Sequence, residues 1–181
     1  MSDLGHAVTG TGTRPAERGL GPILIGAYTL SGVVSLGYEI LWARMLSLQF
    51  GVSIFGVIAT VAAFMGGLGA GSLLGTRWAA RSRAPLRHFG LLEIAVAVFA
   101  LLMPWLMAGT TGLVDTLASH LGISGWYLLY GTVAVVLLTL PAFAMGLGFA
   151  LVVRAGRDLG LSLGGLYGWN TLGGALGALL P

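Results

Sequence analysis

Four side chains place charge or an amide where the chain is otherwise apolar: Glu39 and Arg44 in "SLGYEILWARML", Glu93 in "LLEIAVAV" and Asn170 in "GLYGWNTLGG". A carboxylate inside such a run can pair with a cation on a neighbouring helix, carry a proton or hold a cationic ligand. An amide can hydrogen-bond across a helix bundle. Glu39 and Arg44 are five positions apart, whereas helical neighbours face each other at three or four, so the partner of Glu39 is expected on another helix. Trp42 beside it has the amphipathic ring of an interface anchor.

Catalytic chemistry finds less support. Serines, histidines and carboxylates occur, but not in the spacing of a triad or of metal-assisted hydrolysis, and Asp115 and His120 read as solvated residues of one connection. With no cysteine there is no thiolate metal site, disulfide or cysteine nucleophile. His6, His88 and His120 fall in a tail and two polar connections without paired ligand spacing, so neither a metal nor another cofactor is expected, and the chain is not read as an enzyme.

The elements that must position these side chains follow from composition. With 56% hydrophobic residues, 8% charged residues and 31 glycines in 181 residues, the chain lacks the polar surface of a water-soluble domain, and lipid must take the place of water around most of it. The sequence predicts an all-α, polytopic membrane helix bundle. Apolar runs at about 20–46, 52–75, 89–108, 126–153 and 161–181 are each long enough to cross roughly 30 Å of hydrocarbon, which predicts five transmembrane helices. Residues 1–19, rich in Gly, Thr, Pro and charge, predict a flexible tail ahead of this 20–181 domain. The segment "TTGLVDTLASHLGIS" predicts a short helix on the membrane surface, and Pro141 a break in the fourth helix.

The formal charge of +3 is the balance of nine cations, all arginine, against six carboxylates, and the arginines gather between the apolar runs instead of forming the basic stripe of a nucleic-acid surface. Arg77, Arg81, Arg83 and Arg87 crowd the second connection, and Arg154 and Arg157 the fourth. With Arg14 and Arg18 of the tail they share one side if the chain crosses five times, which predicts a cytoplasmic N-terminus; Arg44 lies toward the other face.

Glycine supplies the packing signal. Gly67, Gly71 and Gly75 in "FMGGLGAGSLLG" are four apart, the small-residue stripe that lets a neighbouring backbone approach closely in lipid. A nucleotide-loop reading of the same glycines fails for want of a preceding strand and a polar opening. The fifth run repeats the device with Gly160, Gly164 and Gly168, then Gly173 and Gly177, so these glycines are expected to form a second docking face.

In chain order, "GYEILWARMLSLQFG", "GSLLGTRWAARSRAPLR", "LLEIAVAVFALLMP", "LPAFAMGLGFALVVRA" and "GLYGWNTLGGALGALL" resemble the transmembrane part of the spermidine synthase-like membrane proteins, fused major-facilitator/spermidine synthase proteins. The likeness runs from about Leu20 to Leu180 and implies a major-facilitator-like half bundle. The "GSLLGTRWAARSR" segment is also similar to the loop between the second and third helices of major-facilitator transporters. That loop typically carries an acidic residue where this chain has Ala79 or Ala80, so Glu93 is expected to supply the carboxylate to Arg77 or Arg81. Nothing in these residues corresponds to the soluble aminopropyltransferase domain of the family, and aminopropyl transfer is not assigned to them.

The expectation is therefore a non-catalytic, multi-pass protein of a bacterial inner membrane, in contact with the bilayer and with other membrane subunits or copies of itself as an accessory subunit. The alternatives are a membrane module that binds or transports polyamine or another small cation, and a membrane anchor for a separate spermidine synthase-like enzyme.

Overall fold

The computed structural model describes residues 15–50, 54–118 and 122–180, and among them the regular elements are all α-helical. They are α1 (Pro15–Phe50), α2 (Ile54–Arg81), α3 (Pro85–Ala118), α4 (Gly122–Asp158) and α5 (Leu163–Gly177). Four of them contain stretches long and apolar enough to cross a membrane: Gly19–Leu46, Val57–Arg81, Pro85–Leu117 and Gly131–Asp158. Large apolar side chains such as Ile23, Leu73, Ile94, Leu101, Trp105 and Leu140 point outward from them, as they must where the surroundings are hydrocarbon.

The helices overrun the limits read from the apolar runs. Prolines open α1 and α3 at their first helical position, where the missing N–H costs nothing. Pro15 to Gly19, assigned to the tail, are the first residues of α1; the rest of the tail, with His6 and Arg14, lies outside the described residues. Thr110 to Ala118 continue α3 instead of forming a separate surface helix, and His120 lies outside the described residues. Helix α4 runs through Pro141 unbroken, with the proline buried in the bundle.

The fifth element differs most. Helix α5 has 15 residues, about 22 Å of rise, which falls short of the four long helices. A turn takes up its expected beginning. Leu161 donates to the carbonyl of Gly156 (2.8 Å) and Gly160 to that of Arg157 (3.1 Å), the paired bonds that close a helix on a left-handed residue, and Gly160 has φ +70°. Ser162 then caps α5 by accepting from the Gly165 N–H at 3.1 Å. Gly160 thus belongs to a turn and not to a docking stripe.

Two helix pairs form the frame. Gly67, Gly71 and Gly75 lie against α4: a Cβ at Gly67 would come within 2.7 Å of the Thr139 carbonyl oxygen, one at Gly71 would strike the Phe143 carbonyl, and one at Gly75 would stand 2.9 Å from the Ala150 Cβ. Gly146 of α4 answers against Leu68 and Ser72. In the second pair Gly173 and Gly177 of α5 meet the carbonyls of Thr29 and Val33, while Gly32 of α1 meets Asn170. Both registers ascend together, so the helices of each pair run parallel. Gly164 and Gly168 meet nothing within 4 Å; they belong to a different face of α5 from Gly173 and Gly177, and the expected single stripe divides in two.

Helix α3 packs on α4, while the contacts joining α1 to α2 and α4, and α4 to α5, are sparse. Two apolar clusters fill the ends. One gathers Leu24, Ala79, Phe89, Leu151, Ala155 and Leu166, at the end that carries Arg77, Arg81, Arg83, Arg87, Arg154 and Arg157. The other holds Trp42, Phe64, Met103, Met107, Leu138 and Ala142. Trp42 is only 1% exposed, stacked on Tyr38 at 5.3 Å and edge-on to Phe99 at 6.2 Å, so it is a core residue and not an interface anchor.

Candidate functional site

A cavity of about 370 Å³ lies where the α1–α5 pair meets the α2–α4 pair. Its α1 wall carries Tyr28, Ser31, Ser35 and Glu39, successive positions three, four and four apart and therefore one helical face. Helix α5 adds Tyr167, Asn170 and Thr171, again one face, and α2 adds Phe64, Leu68 and Ser72. From Tyr28 to Glu39 the slot follows α1 for about 16 Å.

Some of this polarity is spent locally. Ser72 donates to the Leu68 carbonyl and Thr171 to that of Tyr167, at 2.8 and 2.9 Å. Ser31 donates to Glu93 Oε1 at 2.8 Å. The side chains of Tyr28, Ser35, Glu39, Tyr167 and Asn170 have no hydrogen bond or ion pair with another protein group among the described residues. Glu39 is half-buried on this wall. A carboxylate taken from water without a partner is costly, and a cation within reach would recover that cost.

The charge pairs expected from the sequence do not form among the described residues. Arg44 is exposed, on a face turned away from the cavity, and makes no ion pair with Glu39. Glu93 lies two turns into α3 on the side that faces α1, and it accepts from Ser31 instead of reaching Arg77 or Arg81. Those two arginines sit on the last turns of α2 with exposed side chains. Arg83 lies in the connection and Arg87 at the start of α3, both also exposed. His88 belongs to the first turn of α3, where its Nδ1 shares a 2.8 Å hydrogen bond with Ser82 Oγ and its ring lies 5.2 Å from that of Trp78. An ion pair is present between Arg154 and Asp158, at 3.1 Å on exposed positions one helical turn apart.

Asn170, singled out from the sequence as an amide for the bundle interior, lies between α1 and the cavity. Its backbone carbonyl and Oδ1 press on Gly32, and its side chain lines the cavity. Reasoning from the sequence missed Tyr28, Ser31, Ser35, Ser72, Tyr167 and Thr171. The signal for the first three was present: the spacing 28, 31, 35, 39 puts one tyrosine and two serines on the same helical face as Glu39, with Thr29 and Tyr38 off it.

Comparison with protein-family models, with curated proteins and with solved structures gives no match for this chain.

Proposed function

We propose that this chain is a non-catalytic membrane module that binds a small cation in the polar slot between its two helix pairs. The observation that carries this reading is Glu39, half-buried on the wall of a cavity with hydroxyls and an amide around it and no protein partner among the described residues. An ionisable side chain within a transmembrane helix marks a pathway or a ligand site by default. The likeness of the segments around Glu39, Arg44, Glu93 and Asn170 to spermidine synthase-like membrane proteins supports placing the module in that family. It also supports polyamine among the candidate cations and anchoring of a separate spermidine synthase-like enzyme as a further role. The clustering of arginines at one end supports a cytoplasmic N-terminus.

The test is equilibrium binding of butylammonium and spermidine to the purified chain in lipid nanodiscs, wild type against Glu39→Gln. Loss of a charge-assisted contact lowers affinity about tenfold or more while thermal stability holds. Equal binding by the two proteins would overturn the reading.

A second reading, an accessory subunit in a larger membrane complex or homo-oligomer, is favoured by the outer face of α5. There Gly164 and Gly168 have open space above them, and Trp169, Leu172 and Leu176 are exposed. Gentle solubilisation followed by native mass spectrometry tests this reading: a partner or further copies of the chain at fixed stoichiometry support it, and recovery of the monomer alone removes it.

A further inference from the structure

We infer that the cation taken by the slot is an amphiphilic monoamine, with its ammonium at Glu39 and its apolar body along the α2 and α4 walls, and that it reaches the slot sideways from the bilayer. This rests on the reading of the slot as a cation site. Charge decides the valence. Glu39 is the one carboxylate in the lining, and the lining has no arginine. Glu93 lies on the other side of Ser31, in the groove between α1 and α3, and already accepts from that serine. A diamine or triamine in the slot would bury an ammonium without a counter-charge, which costs more than a single paired charge can return.

Shape and wall chemistry decide the rest. About 370 Å³ falls at the small end of the range for organic ligands, far beyond a bare metal ion. The polar oxygens are strung along about 16 Å of α1, so they do not converge as the oxygen cage of an inorganic cation requires. Between them stand Phe64, Leu68, Met145 and Phe149, surfaces that favour methylene groups and the face of a cation alike.

The route follows from exposure. The back wall is closed, with Tyr28 6% and Phe64 4% exposed, whereas Met65 at 48%, Phe149 at 37% and Tyr167 at 62% stand open at the rim. Met65 and Phe149 belong to the membrane-crossing stretches of α2 and α4, away from the helix ends. The mouth therefore faces the hydrocarbon layer, where an amphiphile already resides.

The experiment is a chain-length series from n-butylammonium to n-decylammonium, titrated into the full chain in nanodiscs. Protein-free discs provide the blank for partition into lipid, Glu39→Gln removes the charge, and Glu39→Asp, which keeps it, controls for folding. The inference expects affinity above the blank, referred to amine free in water, to rise about fourfold for each methylene the slot takes up. It also expects Phe149→Ala to weaken octylammonium more than tenfold while butylammonium stays within about twofold. Affinity independent of chain length, or spermidine binding more tightly than octylammonium, overturns the inference and leaves a cation site at Glu39 standing. No amine binding above the blank overturns both.

Discussion

In the two helix pairs backbone lies against backbone, while in the slot between the pairs side chains stand apart. A methyl group on Gly71 would strike the Phe143 carbonyl, and one on Gly177 would strike that of Val33. Across the slot the helices make sparse contacts, and tyrosines, serines, an amide and a carboxylate line the space between them. Lipid tails are as apolar as leucine, so membrane helices gain little by burying leucine on leucine and associate where small residues let backbones close. Helix α1 carries both solutions. Gly32 and Gly37 seat it on α5, while Tyr28, Ser31, Ser35 and Glu39 on an adjoining face line the slot. The difference assigns stability to the pairs and ligand chemistry to the slot, so substitutions in the two regions should report on different properties.

Breaking a pair should give the largest effect. At Gly71→Leu the new side chain meets the α4 backbone, which cannot yield as a flexible side chain would. Overpacking typically costs about 1–3 kcal/mol, and a clash with backbone belongs at the upper end. We expect loss of the folded state in mild detergent, read by thermal unfolding and size-exclusion chromatography. Gly66→Ala on the same helix, with nothing within 4 Å, should fold normally. Equal behaviour of the two variants would dissolve the distinction between a packed and an open helix face.

The link between α1 and α3 should matter less. Ser31→Ala removes the hydroxyl that donates to Glu93 at 2.8 Å. Hydrogen bonds between membrane helices average about 0.6 kcal/mol, so a small fall in unfolding free energy is expected, measurable in a reversible denaturant titration. Because Ser31 also lines the slot, the variant sharpens the comparison if amine affinity changes by more than stability does.

Helical class and the α2 stripe were legible because they rest on composition and on a spacing of four, neither of which depends on a partner. The all-α fold follows from the long apolar runs, and Gly67, Gly71 and Gly75 do meet one neighbour, α4. What could not be read was facing. A helix that is apolar on all sides gives no stripe to mark its inner surface, so whether the face of Gly164 and Gly168 or that of Gly173 and Gly177 turns inward could not be read. Trp42 read as an interface anchor for the same reason, since Tyr38 one turn earlier on α1 is a local neighbour and only the tertiary fold closes the site by placing Phe99 against it. The partner of Glu93 was not legible because the arginines are closer in sequence and carry the opposite charge, whereas a neutral serine 62 positions earlier supplies the donor. The α1 polar stripe was visible in spacing but muted by chemistry, because one tyrosine and two serines scarcely interrupt an apolar run.

The smallest effect is also the one that separates the two faces of α5. Gly168 has no neighbour within 4 Å, while Gly173 on the same helix lies on Thr29 of α1. Glycine in a helix interior costs about 0.5–1 kcal/mol relative to alanine, so Gly168→Ala should leave the isolated protein equally stable or slightly more stable. Gly173→Ala should lower the stability of the α1–α5 pair, because its methyl group meets a backbone carbonyl. Differential unfolding of the two variants in detergent reads this directly. The same pair examined in native membranes carries a second meaning. If Gly168→Ala is harmless in detergent but releases the chain from a larger assembly in the membrane, the open glycine face is a docking surface for another subunit. If it is harmless in both, that face meets only lipid, and the slot at Glu39 remains the part of the molecule with chemistry to perform.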